Sequence, residues 1–451
     1  MKLRERVPKH DGRGRHREVS AAQTYERVAP YLRTMGITRV SEITWLDRVG
    51  IPVFNAIMPR SNDKLSVYNG KGLTAADART SAVMEAAERF CAWQPRPPDR
   101  IASYAELASG PEPVLDPASH NLALSPRYRP DLPISWTYGF DLLRGERVLV
   151  PLHLAGYYIR FHEVGCYRLT TTNGIASGNS LEEAICHGLC EVIERDGWTL
   201  AELISGALVK TINSRLPGGA PPRASARLAM RHPRIDLGTL PPAAAELAAR
   251  LTDAGIRLVL RDTTSATAIP SVAAMTYERL ADGLSTGHAG YAAHPDAEVA
   301  VIRALTEVAQ SRVVDIQGMR EDLSHADDSV QPWNQHAQRA TDLDMTSWPH
   351  EDSGRVVAFG DLPSHPSDDI TADIRLMLSR LRAVGIERAI AIDLSVPGLP
   401  VRVAKVIVPG MESFGLDRSR LGKRAAAEWD AVLAEMIAER DALRLDHQGV
   451  R

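Results

Sequence analysis

The sequence predicts a mixed α/β fold built around three carboxylate-bearing helices, and three observations predict it. Short apolar runs of strand length lie scattered through the chain, at residues 51–58, 147–150, 258–261 and 389–394. They do not alternate with helices at the regular spacing of a Rossmann or TIM fold. A pattern of turn residues, small and apolar residues and spaced glutamates recurs three times.

In chain order, residues 9–17 are a polar Gly/Arg-rich strip, either an arm or a segment that reaches phosphate. Ser20 is an N-cap for a helix running to Leu32, with Gly36 as its stop signal. A helix around Met84 is ended by the Pro-rich residues 94–99, which open a loop-rich region reaching Pro133. Residues 217–223 read as a surface loop. Residues 323–370, rich in Asp, His, Ser and Pro and carrying Trp333 and Trp348, read as an irregular excursion. Residues 423–445 have helical composition throughout.

The bulk composition narrows the function classes. With 451 residues, 44% hydrophobic and 24% charged, the chain can bury a sizeable core. A formal net charge of -3 gives no whole-chain field for nucleic acid or acidic lipid. The basic start at residues 2–17 is interrupted by acids and lacks an apolar segment, so it is neither transit peptide nor secretory signal. No later run is apolar enough to span a bilayer. Four cysteines are too few for a disulfide scaffold, and a cytoplasmic location is expected.

The repeat carries the chemistry. Its first copy is Gly70-Lys71-Gly72-Leu73 followed by a helix with Glu85, Glu88 and Arg89. The second runs from Ser177-Gly178-Asn179-Ser180 through Glu183 to Glu191, Glu194 and Arg195. The third, more divergent, runs from His294-Pro295-Asp296 through Arg303 to Glu307, Gln310 and Arg312. At roughly 100° per residue, positions i and i+3 lie about 60° apart, so each Glu-x-x-Glu pair faces one side. On the second helix Glu183, His187, Glu191 and Glu194 fall within an arc of roughly 80°. Such acids repel one another unless a cation lies between them. Mg²⁺ takes oxygen ligands, commonly a few carboxylates together with substrate phosphates. Several of these helices brought together make a phosphate-and-metal site, and the absence of a Gly-x-x-x-x-Gly-Lys-Ser/Thr run excludes a P-loop as its source. A single Glu-x-x-Glu-Arg is usually a solvated helix face; recurrence among Ala, Val, Ile, Leu and Cys favours a site here. Cys186, His187 and Cys190 lack the second pair of a zinc site and read as a buried helix face. Asp262 reads as a turn residue. Lys71 either binds phosphate or caps a loop. No nucleophile elbow or Ser/His/Asp arrangement is present, so the catalytic group is not assigned.

Asn173-Gly174 through Glu183-Ala184 and Gly188 through Asp196 resemble the central signature of the YcaO family. Gly70-Lys71-Gly72 leading to Glu85 and Glu88 resembles it too, as do Gly290 with His294-Pro295-Asp296 leading to Arg303 and Glu307, and the closing segments at Asp393-Leu394 and Arg402 to Met411. The likeness runs from about residue 1 to 415. It implies a YcaO-type α/β fold with three carboxylate-bearing helices around an Mg-ATP site, often in homodimers. It implies ATP-dependent phosphorylation of a peptide backbone amide oxygen, followed by attack of a nucleophile on that carbon. Carried over by position, Glu85, Glu88, Glu191 and Glu194 resemble metal- and phosphate-coordinating acids. Asn179, Glu183, Arg195, Arg303 and Glu307 resemble nucleotide contacts, with Lys9 as an N-terminal one. The implied division is an N-terminal segment, 1–60, that completes the nucleotide site, a catalytic domain, 61–415, and a helical tail, 416–451. The chain ends Asp446-His447-Gln448-Gly449-Val450-Arg451, without the Pro-x-Pro tail typical of azoline-forming members. Its cast is more similar to members that work with a TfuA-type partner, implying a precursor peptide as substrate, a sulfur-delivery or peptide-binding partner and a thioamide product. Azoline or macroamidine formation uses the same activation, and a non-catalytic ATP-binding accessory protein is the remaining alternative.

Overall fold

Ser20 opens the first helix, α1 (Ala21–Val28), through a capping box: its hydroxyl accepts from the Gln23 N–H while the Gln23 side chain accepts from the Ser20 N–H. Pro30, which has no N–H for a continuing α-turn, tightens the chain into a 3-10 turn at Ala29–Tyr31. The helix expected as far as Leu32 is therefore split, and Gly36 at φ 80° ends it. The structure, a computed structural model, describes residues 1–10, 16–59, 61, 66–157, 165–208, 231–279, 285–318, 348–350, 354–413 and 420–448.

Strands β1 (Arg39–Glu42), β2 (Val53–Ile57) and β3 (Val67–Lys71) form an antiparallel sheet covered by α2 (Ala75–Ala92). This sheet joins strands on either side of residue 60. Next come β4 (Arg100–Ser103), α3 (Tyr104–Ala108), β5 (Pro133–Asp141), β6 (Glu146–Pro151), α4 (Leu152–Ala155), β7 (Ile175–Gly178) and α5 (Leu181–Ala201). After these lie β8 (Arg234–Ile235), α6 (Pro242–Asp253), β9 (Arg257–Asp262), β10 (Ser271–Arg279), β11 (Ser285–Ala293) and α7 (Ala297–Gly318). The chain closes with β12 (Val356–Val357), α8 (Ile370–Ala383), β13 (Ile390–Asp393), β14 (Arg402–Ile407) and α9 (Lys423–Gln448). A second sheet has the order β11-β10-β9-β8-β12, and a third β4-β5-β13-β14-β7 with β6 on β5. Pairing is antiparallel except between β8 and β12.

The three long helices repeat one arrangement. Helix α2 packs on β2 and β3, α5 on β7 and β14, and α7 on β10 and β11. Buried alanines on each helix permit a close approach, and strand glycines complete it. A Cβ on Gly70 would stand 2.0 Å from Ala82 N, and one on Gly290 would stand 2.3 Å from Ala304 O. Only glycine fits under the helix at those positions.

The strands expected at 51–58, 147–150, 258–261 and 389–394 form as β2, β6, β9 and β13, and the helical tail forms as α9. The stretch expected to be loop up to Pro133 holds β4 and α3. Strand β4 is an edge strand of four residues with Arg100 and Ile101 exposed, too short to show alternation. Residues 217–223 and most of the excursion at 323–370 lie outside the described residues. The described end of that excursion holds β12 and a 3-10 turn at Phe359–Asp361. Among the described residues no helix is long and apolar enough to cross a membrane.

Candidate active site

The three helices present their acids in one register. Thr74 and Ser180 cap α2 and α5 through their hydroxyls, and the Asp296 carboxylate accepts from Glu298 N just before α7. Glu85, Glu191 and Glu307 each lie 11 positions beyond these residues (85 − 74, 191 − 180, 307 − 296). Glu88, Glu194 and Gln310 each lie 14 beyond, on the same face three turns in. The arginine follows at position 15 in the first two copies and at 16 in the third. One place is about 100° of helix rotation, which turns Arg312 out of the shared face. It is buried instead against Asp47 at 2.9 Å and Glu278 at 3.0 Å, holding α7 to the chain before β2.

These faces line a cavity of about 360 Å³. Glu85, Glu88 and Arg89 enter it from α2, Glu183, His187, Glu191, Glu194 and Arg195 from α5, and Arg303, Glu307 and Gln310 from α7. Asn179, Lys71, His294 and the N-terminal His16 and Arg17 complete the wall. Of the residues singled out in the sequence, all but Lys9 reach the cavity. The Lys9 ammonium is buried against Asp373 of α8 at 2.6 Å, behind His16 and His294.

Charge is unevenly distributed. Burial pushes the Glu88 and Glu194 carboxyls up to about 8, because their arginine neighbours stand off at 3.9 and 3.6 Å and their sister acids repel them. Burial also raises Glu191 and Glu85, less severely for Glu85, whose side chain keeps 35% of its surface open to the cavity. For Glu307 burial is outweighed: the Lys71 ammonium pairs with it and holds it below the usual carboxylate range. Lys71, left open between phosphate contact and loop cap, is thus the partner of Glu307 and part of the wall. Glu183 is fully engaged by protein. It accepts from Arg17 Nη1 at 3.1 Å, the Glu18 N–H at 3.1 Å and Asn179 Nδ2 at 3.2 Å, tying the N-terminal strip to α5.

The donor set is all oxygen, crowded and short of cations, which fits a hard divalent ion. The glutamates stand further apart than the ligands of one ion. Among the described residues, the group of three His, Cys, Asp or Glu ligand atoms within 4.8 Å of one another is His16, His294 and Asp373, whose carboxylate Lys9 already holds. The glutamates therefore surround a volume rather than a point, suiting ions that take their remaining ligands from bound phosphates. Cys186 and Cys190 are buried, the Cys186 thiol held well above its usual range by its contact with Cys190 and by burial, in keeping with a packing role. Asp262 accepts from Thr264 N at 2.9 Å, the turn expected of it.

The family profile of YcaO cyclodehydratases, described as ATP- and Mg²⁺-binding, matches residues 69–412. The chain belongs to the YcaO family. An uncharacterized protein of Methanothermobacter thermautotrophicus is 34% identical over 412 residues, covering 90% of this chain and 97% of that one. An uncharacterized protein from the tfuA 3′ region of Rhizobium leguminosarum bv. trifolii is 34% identical over 402 residues, covering 88% of each. Among solved structures, YcaO from Methanopyrus kandleri, bound with AMPPCP and Mg²⁺, superposes with TM-score 0.64 at 25% identity, covering 92% of this chain and 98% of that one. A heterocyclase in complex with substrate and cofactor shares the fold at TM-score 0.71 and 23% identity over 92% of this chain, which spans 54% of that longer protein. As a YcaO protein the chain has ATP and Mg²⁺ as its cofactors and belongs to an ATP-dependent, peptide-modifying class. The YcaO cavity also includes residues that the sequence left unassigned. Arg89 could have been found from its offset, the same as that of Arg195, and His187 from its place in the arc of α5. His16, Arg17 and His294 carry no local signal.

Proposed function

We propose that this protein uses ATP to activate a backbone amide of a ribosomally synthesised peptide by O-phosphorylation and directs sulfide to the activated carbon, giving a thioamide. The amide oxygen attacks the γ-phosphorus and the bond to ADP breaks. Sulfide then adds to the carbon, and the oxygen leaves as phosphate, so the balance is one ATP and one sulfide consumed for each oxygen replaced. Glu85, Glu88, Glu191 and Glu194 would hold Mg²⁺, which when bound supplies charge neutralisation at the phosphates. Arg303, Arg195 and Asn179 face the same volume as nucleotide contacts. Glu183 serves by fixing Asn179 and Arg17, and Glu307 by fixing Lys71. Lys9 acts from behind the wall through His16 and His294.

The observation that carries the nucleotide part is the convergence of three helices, each with an acid at the same offset from its start, on one cavity. The thioamide part is supported by the likeness to the protein of the tfuA region over nearly the whole chain. A TfuA-type sulfur-delivery partner and a homodimeric assembly belong to this reading. The family description as cyclodehydratase favours azoline formation as the second reading. The product mass decides between them. A precursor peptide incubated with the protein, its partner, Mg-ATP and sulfide should gain about 16 Da at a residue such as Gly or Ala that has no side-chain nucleophile, whereas cyclodehydration at Ser, Thr or Cys removes about 18 Da. ADP release should be slow without peptide and rise with it. A rate indifferent to peptide counts against amide activation.

A further inference from the structure

Every other cation that points into the cavity is matched by a carboxylate. Arg17 is held by Glu183, Lys71 by Glu307, Arg89 by Glu85 and Glu88, and Arg195 by Glu194. Arg303 differs. Its Nη2 donates to Nε2 of His187 at 2.7 Å, and among the described residues no carboxylate is within ion-pair distance of its guanidinium. The ring is buried among Arg303, Arg17 and Lys71, and that burial and those charges hold it well below its usual pKa. A neutral ring that accepts at Nε2 carries its hydrogen on Nδ1. This explains why Arg17 Nη2 stands off at 3.5 Å from Nδ1 and gives its hydrogen bond to Glu183 instead. His187 thus grips one N–H of Arg303 without discharging it, which a carboxylate in the same place would do. Four further N–H groups of the guanidinium remain for an anion.

We infer that His187 is a positioning residue that aims the uncompensated Arg303 guanidinium at the phosphates of the bound nucleotide. The inference rests on the nucleotide reading of the cavity, and its test separates the two. Binding of a non-hydrolysable ATP analogue with Mg²⁺ is measured by calorimetry on the full chain, with thermal melting of each variant alongside. His187→Leu removes the acceptor and keeps the bulk, so affinity should fall by about tenfold, the scale of one hydrogen bond to a charged group. His187→Gln replaces Nε2 with a neutral oxygen acceptor and should recover most of the loss. His187→Glu should bind less well than His187→Leu, because its carboxylate neutralises Arg303. Arg303→Ala should weaken binding, and adding His187→Leu to it should weaken it no further. Wild-type affinity in His187→Leu together with weakened Arg303→Ala overturns the role of His187 alone, as does a His187→Gln variant no better than His187→Leu. Unchanged affinity in Arg303→Ala overturns the nucleotide reading itself.

Discussion

Lys71 on β3 and Glu307 on α7 form an ion pair in the cavity wall, joining the first and third of the repeated strand–helix units across 236 residues of chain. The pair keeps Glu307 ionised, while Glu88 and Glu194, without so close a cation, are pushed up to about 8.

That contrast sets a pH dependence. The folded pKa of Glu88 and Glu194, about 8, lies above the ordinary value of 4.5, so between those limits the folded state binds more protons than the unfolded one. Their contribution to stability is therefore fully present below about 4.5 and is lost as pH rises towards 8. Glu88→Gln should gain stability relative to wild type as pH rises through this window, read as a growing difference in melting temperature. Bound Mg²⁺ requires the ionised acids, so binding of the Mg-nucleotide at pH 7 should release protons. Calorimetry in buffers of different ionisation enthalpy measures this. No proton release would place the metal elsewhere.

Glu191→Gln should weaken Mg-ATP binding by about tenfold or more, since a neutral amide cannot offset divalent charge. Unfolding stability should hold or rise, because burial and the neighbouring Glu307 already disfavour the Glu191 charge. A large stability loss with unchanged nucleotide affinity would mark Glu191 as structural.

Arg312→Leu tests the helix that left the repeat. Its guanidinium and the Asp47 carboxylate each keep only 3% of their side-chain surface exposed, so removing one strands the other. A cost of about 3–5 kcal/mol is expected in denaturant unfolding. The folded fraction should retain nucleotide affinity, because Arg312 does not line the cavity.

Gly70→Ala should be disproportionately damaging for one methyl group. The new Cβ meets backbone at 2.0 Å, so α2 must shift, at a cost of about 3 kcal/mol or more. Glu85 and Glu88 ride on α2, so Mg-ATP affinity should fall as well. Normal affinity would mean that the acids of α2 do not contribute.

The sequence by itself determined what local geometry determines. Capping at Thr74 and Ser180 and the 100° step of the helix set which side Glu85, Glu88, Glu191 and Glu194 share, and those depend only on residues a few places apart. The turn at Asp262 was legible for the same reason. What only the tertiary structure decided is where those faces point. Three helices, each more than 90 residues from the next, meet at one cavity because strand glycines let them lie close on sheets whose strands are themselves distant in sequence. Tertiary packing also drew Lys9 into Asp373 and placed His187 against Arg303, neither of which leaves a trace in spacing. The physical reason is that an ion pair or hydrogen bond between distant residues depends on backbone paths that converge only once the apolar cores have formed, and periodicity along one helix carries no information about its neighbour.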